Sequence, residues 1–135
     1  MPPEKTSRDE EDVLRTVEDW AAAVRAKDYD GILKNHTLDF VLYDVPPPFA
    51  SKGLDAYKQT WDQFFSWSIP PIRFDIQSIN VSAGADVAFV FAKMKCFGPD
   101  DQGTPGTLAF RLTIGLRKLG GNWMIAHEHH SVPAE

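Results

Sequence analysis

Val13, Val17, Trp20 and Val24 recur at intervals of 4, 3 and 4 in an otherwise polar stretch. That spacing gathers side chains on one face of a helix, here running to about Lys27. Ser7-Arg8-Asp9-Glu10 ahead of it has the capping-box form, and the acidic residues 9–12 suit the positive end of a helix dipole. After a break at Asp28, residues Tyr29 to Asn35 predict a short second helix. A third starts near Gly53, where Leu54, Tyr57, Trp61, Phe64 and Phe65 form an aromatic stripe that Pro70-Pro71 ends.

Elsewhere the period falls to two. Thr37 to Asp44 reads as a strand with Leu38, Phe40 and Leu42 on one face, stopped by Pro46-Pro47-Pro48. Ile72, Phe74 and Ile76 share a parity that Ile79 and Val81 reverse, so a β-bulge is expected near Gln77–Ser78. Val87 to Cys96 begins apolar on both faces, as a strand covered on both sides would. Phe97 to Gly106 reads as a Gly/Pro loop. Thr107–Leu119 and Asn122–Ser131 form a hairpin across Gly120-Gly121. Unbroken pairing from that turn places Leu116 opposite Ile125, Ile114 opposite His127 and Leu112 opposite His129. The inner face then carries Phe110, Leu112, Ile114, Leu116, Trp123, Ile125, His127 and His129, and the outer face Arg111, Thr113, Arg117, Glu128 and His130. Helices and strands segregated in this way indicate an α+β fold. The expected shape is a cone-shaped roll, a bent, mostly antiparallel sheet with three helices packed on its concave face.

Composition narrows the function classes. At 135 residues, 43% apolar and 24% charged, the chain has the make-up of one globular domain, residues 7–135, behind a flexible tail, residues 1–6. A net charge of −5 with no Lys/Arg cluster excludes nucleic acid and anionic membranes as expected partners. No apolar run is long enough to span a bilayer, and Met1–Lys5 lacks the apolar core of a secretion signal. The lone cysteine, Cys96, rules out an internal disulfide and fits a cytoplasmic location.

Asp44 ends an apolar strand beside aromatic residues, where a carboxylate can serve as a general base or simply form an Asx-type turn before Pro46. His127 and His129 alternate down one face, with rings about 6–7 Å apart. They are read as groups that polarise a substrate carbonyl or pair with Asp44, or as rim histidines satisfied by neighbours. A His-x-His pair can also present ligands to zinc or iron, with His36, Asp44 or Glu128 as a third, but no third ligand stands at a fixed spacing and no metal is assigned. Trp20, Phe40, Tyr57, Trp61 and Phe65 are core residues first and cavity walls second. If they face a cavity they favour a flat, apolar or aromatic ligand, and the Trp20 indole N–H could donate into it. Val87, Phe89 and Phe91 against Ala88 and Val90 ask for cover on the sheet's outer face, which a second copy would supply as a homodimer.

Three segments resemble a known family. Trp20-Ala21-Ala22-Ala23 to Lys27-Asp28-Tyr29-Asp30-Gly31-Ile32 is similar to its first helix and following break. Tyr43-Asp44-Val45-Pro46 precedes a glycine, Gly53, nine residues past the aspartate. Gly121-Asn122-Trp123-Met124-Ile125-Ala126-His127-Glu128-His129-His130-Ser131 is similar to the "G-x-W-x-I-x-H-x-H-x-S" ending of SnoaL-like proteins and of the calcium/calmodulin-dependent kinase association domain. Over residues 10 to 133 the chain thus resembles the nuclear transport factor 2-like superfamily, in its SnoaL-like and ketosteroid-isomerase-like branch. The resemblance places Asp44 where the isomerases keep their base and Trp20 where they keep an oxyanion-binding tyrosine. Their second oxyanion donor has Thr113 and Ile114 in its place. Together these readings imply a domain that binds a small apolar carbonyl compound. In the catalytic version Asp44 removes a proton α to the carbonyl without a cofactor, and His129, with His127 or Trp20, stabilises the enolate, as an isomerase, cyclase or dehydratase. The alternative is a non-catalytic ligand-binding or assembly module.

Overall fold

Helix α1, Arg8–Arg25, buries Val13, Val17, Trp20 and Val24, the stripe that its spacing predicts. Its first turn is closed by reciprocal bonds: Ser7 Oγ accepts from the Glu10 N–H at 3.0 Å and Glu10 Oε1 from the Ser7 N–H at 3.1 Å. The computed structural model describes residues 7–134, so the tail expected over residues 1–6 lies outside the described residues. Helix α2 is Tyr29–Leu33, capped by Asp28, and α3 is Gly53–Trp67, which buries Tyr57 and Trp61.

Six strands follow the order β2-β1-β6-β5-β4-β3, with β1 His36–Tyr43, β2 Ser51–Lys52, β3 Phe74–Ala83, β4 Val87–Pro99, β5 Pro105–Leu119 and β6 Asn122–Ser131. Neighbours are antiparallel except β1 and β6, which run parallel. The fold is α+β: an open, bent, mixed sheet with three helices, one face carrying the core. Inward residues of β4 and β5 such as Val90, Met94, Leu112 and Ile114 meet Val17 and Trp20 of α1 and Trp61 of α3 in one cluster.

The predicted slip in β3 is present, with Gln77 skipped between the Ile76–Met94 and Ser78–Lys93 pairs. Other details differ from the alternation. Leu38 is 86% exposed while Phe40 and Leu42 are buried, because β1 changes register against β6 between His36 and Val41. Phe97 to Gly106 is not a loop throughout, since the β4–β5 ladder continues to Pro99 opposite Pro105. Trp67 anchors that extension. Its indole N–H donates to the Pro99 carbonyl at 3.1 Å, and its ring lies so close to Gly98 that a Cβ there would meet it at 2.6 Å. Strand β4 alternates strictly, leaving Val87, Phe89 and Phe91 at least half exposed on the outer face.

The largest departure is in the hairpin. Leu116 pairs with Ile125, but Gly115 pairs with His127, so Ala126 is an extra residue and every position beyond it changes face. The expected inward placement of His127 and His129 is therefore corrected: Glu128 and His130 turn into the core, His127 is half-buried on the outer side and His129 is exposed.

Candidate functional site

The inward turn of β6 places a carboxylate in the deepest part of the fold. Glu128 is fully buried, a costly position for a charge unless donors surround it. Three do. The Tyr57 hydroxyl donates to Oε2 at 2.7 Å, His36 Nε2 lies 3.0 Å from the same oxygen, and His130 Nε2 lies 3.1 Å from Oε1. Trp20 completes the group, its indole N–H donating to the Tyr57 hydroxyl at 2.8 Å. His36 Nδ1 faces the Lys34 carbonyl at 3.0 Å. Both nitrogens of His36 thus meet oxygens that only accept.

Electrostatics follow from this packing. Burial alone pushes the Glu128 carboxyl up, but the bonds from His130 and His36 outweigh it and hold the group at about 2. Burial likewise disfavours charge on His130, yet the Glu128 bond and the nearby Asp44 carboxylate raise its pKa above the ordinary value. Burial, reinforced by the Glu128 charge, raises the Tyr57 phenol well above its usual range, so it remains a donor. Cys96 is also pushed up, to about 12, by burial and by Asp44, which leaves an unreactive thiol.

Asp44 stands at the outer end of this chain of groups. Its Oδ1 accepts from the Val45 N–H at 2.8 Å and lies 3.8 Å from His130 Nδ1, while the side chain keeps 23% of its surface exposed. Asp44 thus holds the backbone N–H of its neighbour ahead of Pro46 and also faces an imidazole. That imidazole is His130 rather than His127 or His129. The ring of His130 stacks on Phe110 at 5.7 Å and meets Trp20 and Trp61 edge-on, each at 6.5 Å.

The expected wall residues are distributed around this network. Trp20, Phe40, Tyr57 and Trp61 are at most 3% exposed and pack edge-to-face with one another or with His36. The Trp61 indole N–H is buried and has no acceptor. Phe65 lies on the flank of α3 against Tyr29 at 5.7 Å, under the Lys27 ammonium, and meets no polar member of the network. On the other face His127 Nδ1 donates to the Val41 carbonyl at 2.7 Å, and the His127 and His129 rings are 6.4 Å apart around Tyr43. His36, Asp44 and Glu128 are on the inner side, so the metal set imagined around His127 and His129 does not assemble. Among the described residues no group of three or more His, Cys, Asp or Glu side chains is arranged to hold a metal ion. Two surface clefts of about 310 and 370 Å³ are lined by Glu18, Arg25, Asp75 and Ile76, and by the β3–β4 turn; neither includes a member of the network.

Sequence reasoning named His36 and Glu128 only as possible metal ligands and set Glu128 and His130 on the outer face, so it missed the network they form. The available signal was the run His127-Glu128-His129-His130, in which both parities are polar and one had to be inside.

The fold is shared with a recognisable set of proteins. The model of the SnoaL-like domain matches residues 13–135. A structure of an NTF2-like protein of unknown function from Pseudomonas putida KT2440 is 30% identical, covering 97% of this chain and 92% of that one, with a TM-score of 0.83. A ketosteroid isomerase-like protein from Erwinia carotovora atroseptica is 21% identical over 96% of this chain and 99% of its own, TM-score 0.78. The association domain of Caenorhabditis elegans CaMKII is 18% identical over 92% and 95%, TM-score 0.69. No curated protein matches the chain. With the family model spanning nearly the whole sequence, the chain belongs to the SnoaL-like domain family, within the NTF2-like superfamily.

Proposed function

We propose that the domain binds a small apolar or aromatic carbonyl compound at the Asp44 end of the network and moves a proton α to its carbonyl. The observation that carries this reading is His130, held between the buried Glu128 carboxylate and the half-buried Asp44. A titratable group fixed this way, with a raised pKa, is the arrangement acid–base catalysis needs. Asp44 takes the proton from carbon. His130, kept protonated and oriented by Glu128, donates to the oxygen on which enolate charge develops. The proton then returns from Asp44 to carbon, so the cycle is redox-neutral and uses no cofactor. His130 takes the part first assigned to His129 and His127. Tyr57 and Trp20 act behind it, as orienting groups for Glu128. The reducing interior of a cell, consistent with the single cysteine, is the proposed location.

The test begins with native mass spectrometry for a co-purified ligand, followed by α-deuterium exchange on that ligand. Wild type is expected to accelerate exchange, and Asp44→Asn to lose at least about a hundredfold, the usual contribution of a positioned base. Equal exchange by both proteins would remove Asp44 from the mechanism.

A separate observation favours assembly as a second role. The outer sheet face exposes Val87, Phe89, Phe91 and Tyr43, by 59, 52, 50 and 41% respectively. An exposed sheet face with large apolar residues of that kind usually meets a partner, and a second copy related by a two-fold axis is the simplest cover. A relative of the same fold is named as an association domain. The proposed oligomer is accordingly a homodimer through the outer sheet face, checked by sedimentation of the purified protein.

A further inference from the structure

The outer face is not only apolar, because the two histidines that β6 turned outward stand in its centre. Opposite pairs define two rows across four strands: Phe91, Thr113, His129 and Tyr43, then Phe89, Gly115, His127 and Val41. The rings of Phe89 and Phe91 are stacked, and Tyr43 meets His127 at 4.8 Å and His129 at 5.6 Å. We propose that this face is the contact between two copies of the chain and that protonation of His127 and His129 releases it.

The proposal rests on the assembly reading and adds its regulation. Strands about 4.8 Å apart, with a rise of about 3.3 Å per residue, make the patch from β1 to β4 and from Val87 to Lys93 about 14 by 20 Å. That is on the order of 300 Å² in projection, the centre of an interface whose side-chain relief and charged rim supply the rest of the ~800 Å² per partner of a standard one. Gly115, between Phe89 and His127, brings no side chain to the middle of this face.

The charge around the histidines sets the direction. On β5 they are flanked by Arg111 and Arg117, on β4 by Lys93, and across β1 by Lys52 opposite Val41. The facing carboxylate is Asp39, already paired with Arg117 at 3.4 Å, and Tyr43 is the remaining titratable neighbour. Glu128 and His130 point to the opposite side of the sheet. The rim cations remain in water, where their repulsion is screened. Four imidazolium charges in the middle of a dimer are not, and among the described residues no unpaired carboxylate on this face meets them. An imidazole in water takes its proton near pH 6.5. A site open to protons in the single protomer and closed in the dimer makes association weaken as pH falls. His127 already donates from Nδ1 to Val41, so its Nε2 is the nitrogen that gains the proton.

Sedimentation velocity over a concentration series, at pH 8.0 and pH 5.5, reads the effect. Wild type should be dimeric at pH 8.0, with Kd raised at least about tenfold at pH 5.5. His127→Gln/His129→Gln should dimerise with the same Kd at both values, and Phe89→Ser/Phe91→Ser should be monomeric at both. Circular dichroism establishes that each variant is folded. A monomeric wild type at pH 8.0, or a dimer that survives Phe89→Ser/Phe91→Ser, overturns the assembly surface and the proposal with it. A dimer with one Kd at both pH values overturns the histidine release alone, as does full pH dependence in the glutamine variant. None of these outcomes bears on Asp44 or His130.

Discussion

Glu128→Gln separates a structural carboxylate from an ordinary buried polar group. The amide keeps the volume but loses the charge that His36 and His130 face at 3.0 and 3.1 Å. Breaking a buried pair from one side costs about 3–5 kcal/mol, which chemical denaturation at neutral pH should read directly. The pH dependence adds a signature. Because Glu128 is held at about 2 against an ordinary 4.5, its contribution is complete above about pH 4.5 and lost as pH falls towards 2. His130, raised above 6.5, adds stability that is complete below that value and fades as pH rises through its higher folded pKa. Wild type should therefore lose stability on both sides of a plateau, and Glu128→Gln should show neither loss as strongly. At this scale the burial of Trp20, Phe40, Tyr57 and Trp61 was legible from spacing, because apolar residues report which way they face. Glu128 and His130 were not, because a polar residue is compatible with either face until its partners are known.

The two bulges make the same point for elements. Around Gln77 the sequence switches its apolar parity from Ile72, Phe74 and Ile76 to Ile79 and Val81, so the slip could be read. Around Ala126 the apolar residues stop at Ile125, and His-Glu-His-His supplies no parity marker. One extra residue then exchanged the candidate site for the outer face. The extension of β4 and β5 was hidden for a related reason: Gly98, Pro99, Pro105 and Gly106 carry turn-like composition, and the strand they form is braced by Trp67, distant in sequence. Glycine at 98 is required by contact rather than by backbone angle, since a Cβ would lie 2.6 Å from three atoms of the Trp67 ring. Gly98→Ala should cost about 1–3 kcal/mol through overpacking. The same change in a Trp67→Leu background should cost distinctly less, because the atoms in conflict are gone. A thermodynamic cycle from urea unfolding measures that coupling, and equal costs in both backgrounds would place the strain elsewhere.

For the whole molecule, the outer face of β4 links composition to assembly. The chain carries a net charge of −5, yet Lys52, Lys93, Arg111 and Arg117 gather around an apolar centre on one side of the sheet. The sequence already set Val87, Phe89 and Phe91 against Ala88 and Val90, so an apolar outer face was legible. That His127 and His129 share it was not, since their position depends on Ala126. A protomer stabilised by pairing has a thermal midpoint that depends on concentration, because mass action favours the folded dimer over two unfolded chains. Each tenfold rise in protein contributes about 1.4 kcal/mol per dimer, or about 0.7 kcal/mol per chain. For a domain of this size that moves the midpoint upward by about 2–3 °C. Scanning calorimetry of wild type at pH 8.0 should show this rise, and Phe89→Ser/Phe91→Ser should show none. Both substituted positions are half exposed in the single protomer, so their replacement leaves the inner core of Val90, Leu112 and Ile114 intact. A midpoint in the variant equal to that of dilute wild type would assign the whole difference to pairing. A lower midpoint would mean that Phe89 and Phe91 also brace the sheet within one chain.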